Sequence, residues 1–244
     1  MLPTPEQVRE EPVAWTTTMA LGLWVLALVG STIWILMIGG LSGQEPGSLS
    51  RNPPWLFLSQ LGLWAIYGLG PLVVARQLDP TRSPKEIFGL DMKSTDIPIW
   101  ASIGVAMQLI VIPLLYLPIS QFVDTESVSE AAQDIIDNAV TWMDVGVLFL
   151  MIVVIAPVVE EFFYRGFALP ALMARFGPWP AVIVSSLWFA ASHFQVIQFP
   201  GLLVVGLALA VARVRTNRLI PCILLHMAFN GVTFGVLVSQ LSLT

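Results

Sequence analysis

The chain has 244 residues, of which 56% are hydrophobic and only 11% charged. A soluble domain carries about 25% charged residues, so this chain lacks the polar surface to stand in water, and a lipid surround removes that need. The formal net charge of −5 excludes the basic footprint expected of a nucleic-acid-binding protein.

The first residues, MLPTPEQVREEP, are acidic rather than basic, and no small-residue cleavage site follows the first apolar run. That run, near 15–41, is therefore expected to be a retained span rather than a signal peptide. A helix needs about 20 residues to cross roughly 30 Å of hydrocarbon. The charge-free runs 52–75 and 97–123 supply a second and a third span. A fourth begins after Asp144 and runs into Glu160. Residues 176–212 carry no Asp, Glu, Lys or Arg and hold two more, with Pro200-Gly201 as the turn between them. The last span covers 219–241. The expectation is an all-α polytopic membrane bundle of seven transmembrane helices, the sixth being short. Residues 1–140 form an N-terminal three-span region, and 141–244 form the core that bears the site.

Lys and Arg orient the bundle. The loop 76–96 holds Arg76, Arg82, Lys85 and Lys93. The stretch 124–144 holds Asp124, Glu126, Glu130, Asp134, Asp137 and Asp144 and no base; it could form a short amphipathic helix, and a solvated loop is the expected form. The basic loop is expected in the cytoplasm together with the N-terminus, Arg165, Arg175, Arg213, Arg215 and Arg218, leaving Arg51 outside. Trp15, Trp55, Trp100, Trp142 and Trp179 lie near span ends, as an interfacial aromatic belt would. The single cysteine, Cys222, sits in an apolar run and reads as packing.

Ionisable side chains inside a bilayer cost about 2.5–3.5 kcal/mol each on insertion scales, and they persist where they face the bundle interior and serve a function. Three clusters stand out. Glu161 and Arg165 are i and i+4 on one helical face and can pair. Glu160 points about 100° away from Glu161 and faces something else. Phe189 and His193 share the fifth span. His226 and Asn230, again i and i+4, share a face of the last. Their depths let one carboxylate, two imidazoles and one amide meet in the cytoplasmic half of the bundle.

Such a pocket suits two chemistries. Glu160, His193 and His226 form the ligand set of several hydrolytic zinc sites. Without metal, Glu160 can take a proton from water, His193 can position that water or protonate the leaving amine, and His226 and Asn230 can donate to the oxyanion. Ser192 and Cys222 are poorly turned to act as nucleophiles, so activated water is favoured over covalent catalysis.

The ordered motifs Glu-Glu-x-x-x-Arg (Glu160, Glu161, Arg165), Phe-x-x-x-His (Phe189, His193) and His-x-x-x-Asn (His226, Asn230) span roughly residues 145–235. In this they resemble the CAAX protease and bacteriocin-processing (CPBP, or Abi) family of intramembrane endopeptidases, which includes the Ras-converting type II CAAX prenyl endopeptidases. The resemblance implies peptide-bond hydrolysis in the membrane, with Glu160, His193, His226 and Asn230 catalytic and Glu161, Arg165 and Phe189 supporting the site. It implies protein or peptide substrates, prenylated ones among them, and accommodates both a zinc-dependent and a glutamate-dependent mechanism. Two other readings fit buried Glu and His groups: a proton-coupled transporter, and a catalytically silent immunity protein that keeps the pocket.

Overall fold

The computed structural model describes residues 13–43, 45–121 and 127–241, with the side chains of Pro46 and of residues 127–131 set aside. The acidic N-terminal segment, Asp124, Glu126 and the Glu130 side chain lie outside the described residues.

Eight helices carry the argument: α1 (Thr17–Ser42), α2 (Pro53–Leu78), α3 (Asp96–Ile119), α4 (Ser127–Asp137), α5 (Trp142–Phe176), α6 (Pro178–Ala191), α7 (Phe199–Thr216) and α8 (Ile220–Val238). Among the described residues, α1, α2, α3, α5, α7 and α8 are long and apolar enough to cross a membrane, and α6 is apolar but shorter. The chain is thus a polytopic helical membrane bundle. Local chemistry sets the boundaries. Thr16 and Asn52 cap the starts of α1 and α2 by accepting from Met19 N and Trp55 N. Thr141 and Asp144 form a reciprocal capping box at the start of α5. Gly43, at φ +68°, ends α1 in the left-handed conformation that glycine adopts freely.

Four sequence expectations change. The short helix is the fifth apolar one, α6, not the sixth, because the chain turns at 192–198. Pro200 lies in the first turn of α7, where its missing N–H costs nothing. The fourth span does not end near Glu160: α5 runs on to Phe176, and Arg165 is fully buried rather than a headgroup flank. The acidic stretch is not all loop, since α4 forms within it and packs Ile136 into the bundle beside Leu56, Trp64 and Val145. Finally, Trp15 is not interfacial: its ring is buried against Phe167 and its Nε1 donates to Phe167 O at 2.8 Å.

Among the described residues, three widened π turns interrupt the helices, at Met107–Val111 in α3 and at Leu150–Ile155 and Phe162–Ala168 in α5. Each is followed after one residue by a proline: Pro113, Pro157 and Pro170. Proline has no N–H, and its ring collides with the carbonyl four residues back. Widening the preceding turn to i→i+5 bonds relieves that collision without ending the helix. Pro71 in α2 is accommodated without such a turn.

Small residues let the helices approach closely where the site is built. A Cβ on Gly104 of α3 would come within 2.3 Å of Leu225 O in α8. Arg218, just before α8, donates from both terminal nitrogens to the Asp96 carboxylate at the start of α3. The seam between α3 and α8 is therefore fixed at one end by this pair and along its length by backbone contact.

Candidate active site

The site begins with a charge that has no access to water. Arg165 is fully buried, and its Nη1 donates to Glu161 Oε1 at 3.0 Å, one helical turn earlier. Its Nη2 donates to Gly206 O of α7 at 3.1 Å, and the guanidinium lies 4.4 Å from the Phe189 ring centroid. Desolvated cations over aromatic faces are stabilised by the ring quadrupole. Phe189 thus supports Arg165 on one side. On its others it meets both imidazoles, with ring centroids 4.8 Å from His193 and 5.8 Å from His226.

Glu161 passes this order to α8. The same Oε1 that binds Arg165 lies 2.9 Å from His226 Nδ1. A carboxylate oxygen can only accept here, so Nδ1 carries the proton and Nε2 points the other way. Nε2 stands 3.9 Å from Glu160 Oε2. The adjacent acids therefore contact opposite edges of one imidazole. Residues i and i+1 point about 100° apart on a helix, and a ring placed between the two directions reaches both. The sequence reading separated Glu160 from Glu161 but did not place Glu161 on His226. The signal was available, since a buried histidine needs its second ring nitrogen satisfied.

His193 lies not within α6 but in the turn just beyond its end. Its Nδ1 is 2.8 Å from Phe189 O, so this ring also carries its proton on Nδ1. The following residue, Phe194, has φ +55°, uncommon for a bulky side chain. Tyr116 of α3 holds the far end of this turn: its hydroxyl donates to Ile197 O at 2.6 Å and accepts from Gly201 N at 3.4 Å.

Asn230 answers a need created by Pro157. In the widened turn Ala156 N bonds Met151 O, so the next bond would run from residue 157 to Ile152 O. Proline cannot donate it, and Asn230 Nδ2 donates to Ile152 O instead, at 3.0 Å. The second break of α5 has the same solution, with Arg213 Nε donating to Arg165 O at 3.2 Å where Pro170 cannot.

Glu160, His193, His226 and Asn230 line one cavity of about 340 Å³. Its walls also include Gln108, Ile112 and Tyr116 of α3, Ile135 of α4 and Leu202 and Val205 of α7, so residues on both sides of position 140 enclose it. Among the described residues, no group of three His, Cys, Asp or Glu side chains is placed to hold one metal ion. Both Nδ1 atoms are committed to protein acceptors, which leaves both Nε2 lone pairs free, but Glu160, His193 and His226 are not brought together as a ligand triad.

Residues 142–232 match a family model described as Type II CAAX prenyl endopeptidase Rce1-like. A protein of Escherichia coli named "Uncharacterized 24.3 kDa protein" is 35% identical over 99 residues, which are 38% of this chain and 45% of that protein. The chain thus spans less than half the length of that curated relative. No solved structure matches.

Replacing one partner of a buried ion pair leaves the other charge uncompensated, at a cost of about 3–5 kcal/mol. Arg165→Met is expected to lower stability in detergent by that order. The double variant Arg165→Met/Glu161→Gln should recover part of the loss, read from thermal unfolding midpoints. Equal stability of Arg165→Met and the parent protein would show that the pair is not buried.

Proposed function

We propose that the protein, whose residues 142–232 match the Rce1-like family model, is an intramembrane endopeptidase that hydrolyses peptide bonds with a water activated by Glu160. One observation carries the reading: Glu160, His193, His226 and Asn230, drawn from two helices and a turn, line a single cavity inside the apolar bundle.

In this mechanism Glu160 Oε2 accepts a proton from the attacking water. His193, with its Nδ1–H given to Phe189 O, offers the Nε2 lone pair as a second acceptor. Two acceptors on one water turn its oxygen toward the scissile carbonyl, which supplies the positioning that catalysis needs. Asn230 uses one N–H on Ile152 O and keeps the other for the developing oxyanion. Glu160 then delivers its proton to the leaving amine as the C–N bond breaks. His226 is held by Glu161 through Nδ1, with its Nε2 lone pair turned toward the Glu160 side of the cavity.

Substrates in this reading are membrane-associated peptides or proteins, prenylated C-terminal segments included. The largely apolar wall, with Ile112, Ile135, Leu202, Val205 and Phe229, suits a segment that arrives from lipid. Orientation follows from basic residues that are not buried. With Arg165 and Arg213 inside the bundle, the bias rests on Arg76, Arg82, Lys85, Lys93, Arg175, Arg215 and Arg218, and supports a cytoplasmic position for that side of the bundle and the N-terminus.

A general base contributes about 10²–10⁴-fold to rate. Glu160→Gln is expected to lose at least about 10² in kcat for any peptide the parent protein cleaves, while inserting and unfolding as the parent does. Turnover at the parent rate would exclude the mechanism. Since the residues as placed do not converge on a metal, activity should survive dialysis against a chelator, and loss reversed by added zinc would contradict this. For topology, a cysteine introduced at Thr81 in a Cys222→Ser background should react with an impermeant maleimide only from the cytoplasmic side. Labelling from outside would invert the assignment.

A further inference from the structure

Gln108 is a primary amide in the middle of α3, in a stretch that reads Val-Ala-Met-Gln-Leu-Ile-Val. Its neighbours Leu109 and Ile110 face outward. Gln108 instead lines the cavity that holds Glu160, His193, His226 and Asn230. Its Oε1 is buried with no hydrogen-bond partner among the described residues. A buried amide oxygen without a partner is a costly exception in a folded protein, and more so where lipid rather than water surrounds the helix.

The backbone at the same residue is also short of a donor. Gln108 lies in the π turn before Pro113, where Ile112 N–H bonds Met107 O. Pro113 has no N–H to give, so the helix offers Gln108 O neither an i+4 nor an i+5 donor. At the corresponding positions in α5, Ile152 O and Arg165 O, a side chain fills the gap. At Gln108 O no side chain among the described residues does.

We propose that Gln108 is a substrate-binding residue that pairs with the backbone amide of an extended peptide laid across Glu160. A peptide drawn into a water-poor cavity brings an N–H and a C=O at every residue, and each needs a partner. The Gln108 carboxamide supplies both complements: Oε1 accepts a peptide N–H, and Nε2 donates to a peptide carbonyl. Such pairing reads the extended backbone and its direction rather than side chains. Side-chain preference is then set by the apolar wall formed by Ile112, Leu202 and Val205. The inference rests on the endopeptidase reading and names how that site holds its substrate. Gln108 lies outside the segment 142–232, so this contact belongs to the part of the chain that the family match does not cover.

The test uses Gln108→Met, which keeps the length and helix preference of the side chain and removes its hydrogen bonds. The probes are an internally quenched decapeptide rich in apolar residues and a series of its ester analogues, each with one backbone N–H replaced by oxygen. A neutral hydrogen bond corresponds to about a tenfold change, so Gln108→Met should lower kcat/KM by about tenfold. One ester analogue should cost the parent protein a similar factor and cost Gln108→Met nothing further. That non-additivity would not arise from a merely structural role. Binding of the decapeptide to Glu160→Gln, with and without Gln108→Met, is measured in parallel by fluorescence anisotropy, so the contact is read without turnover. If no peptide is cleaved but the decapeptide binds Glu160→Gln about tenfold more tightly than the double variant, the endopeptidase reading fails and the contact stands. Equal affinities, or additive losses for every ester analogue, overturn the proposal.

Discussion

A guanidinium and a carboxylate sealed inside a membrane bundle constrain everything near them. Arg165 and Glu161 could not sit at full burial unless most of their polar atoms found partners, because a charge removed from water is compensated only by good geometry. The partners they find are not local. Gly206 O comes from α7, the Phe189 face from α6 and the His226 ring from α8. One ion pair on a single turn of α5 thereby sets the positions of three other helices. It also turns one imidazole so that its free edge faces Glu160.

Proline is the second device. Each π turn in α3 and α5 precedes a proline and leaves one carbonyl without its helical donor. In α5 those carbonyls draw in Asn230 and Arg213, so polar side chains sit in the bundle interior because the backbone requires them. Asn230 is then both structural filler and cavity wall. Its amide is oriented before any substrate arrives, as a preorganised hydrogen-bond donor should be.

Much of this was legible from residue order. Charge-free runs located the membrane helices, because hydropathy reports directly on what lipid tolerates. The i, i+4 spacing paired Glu161 with Arg165 and set Glu160 apart, because helical geometry decides which neighbours share a face. Other features were hidden. Arg165 looked like the end of a span because charge usually marks a boundary, and only its partners on α6 and α7 explain its burial. Trp15 looked interfacial for the same reason, since nothing local reveals Phe167 O as its acceptor. The Pro200-Gly201 pair suggested a turn, yet proline suits a helix start equally well. Gln108 escaped notice because one uncharged amide barely changes the hydropathy of a long apolar run.

The central claim is that Glu161 orients His226 toward Glu160 while Phe189 O orients His193. The protein has only 2 histidines, so selective ¹⁵N-histidine labelling yields two imidazole spin systems that can be assigned by replacing either ring. The account predicts a proton on Nδ1 of both rings, and a changed Nδ1 environment for His226 in Glu161→Gln but not for His193. A neutral His226 carrying its proton on Nε2 alone, or a His226 signal indifferent to Glu161→Gln, would contradict it.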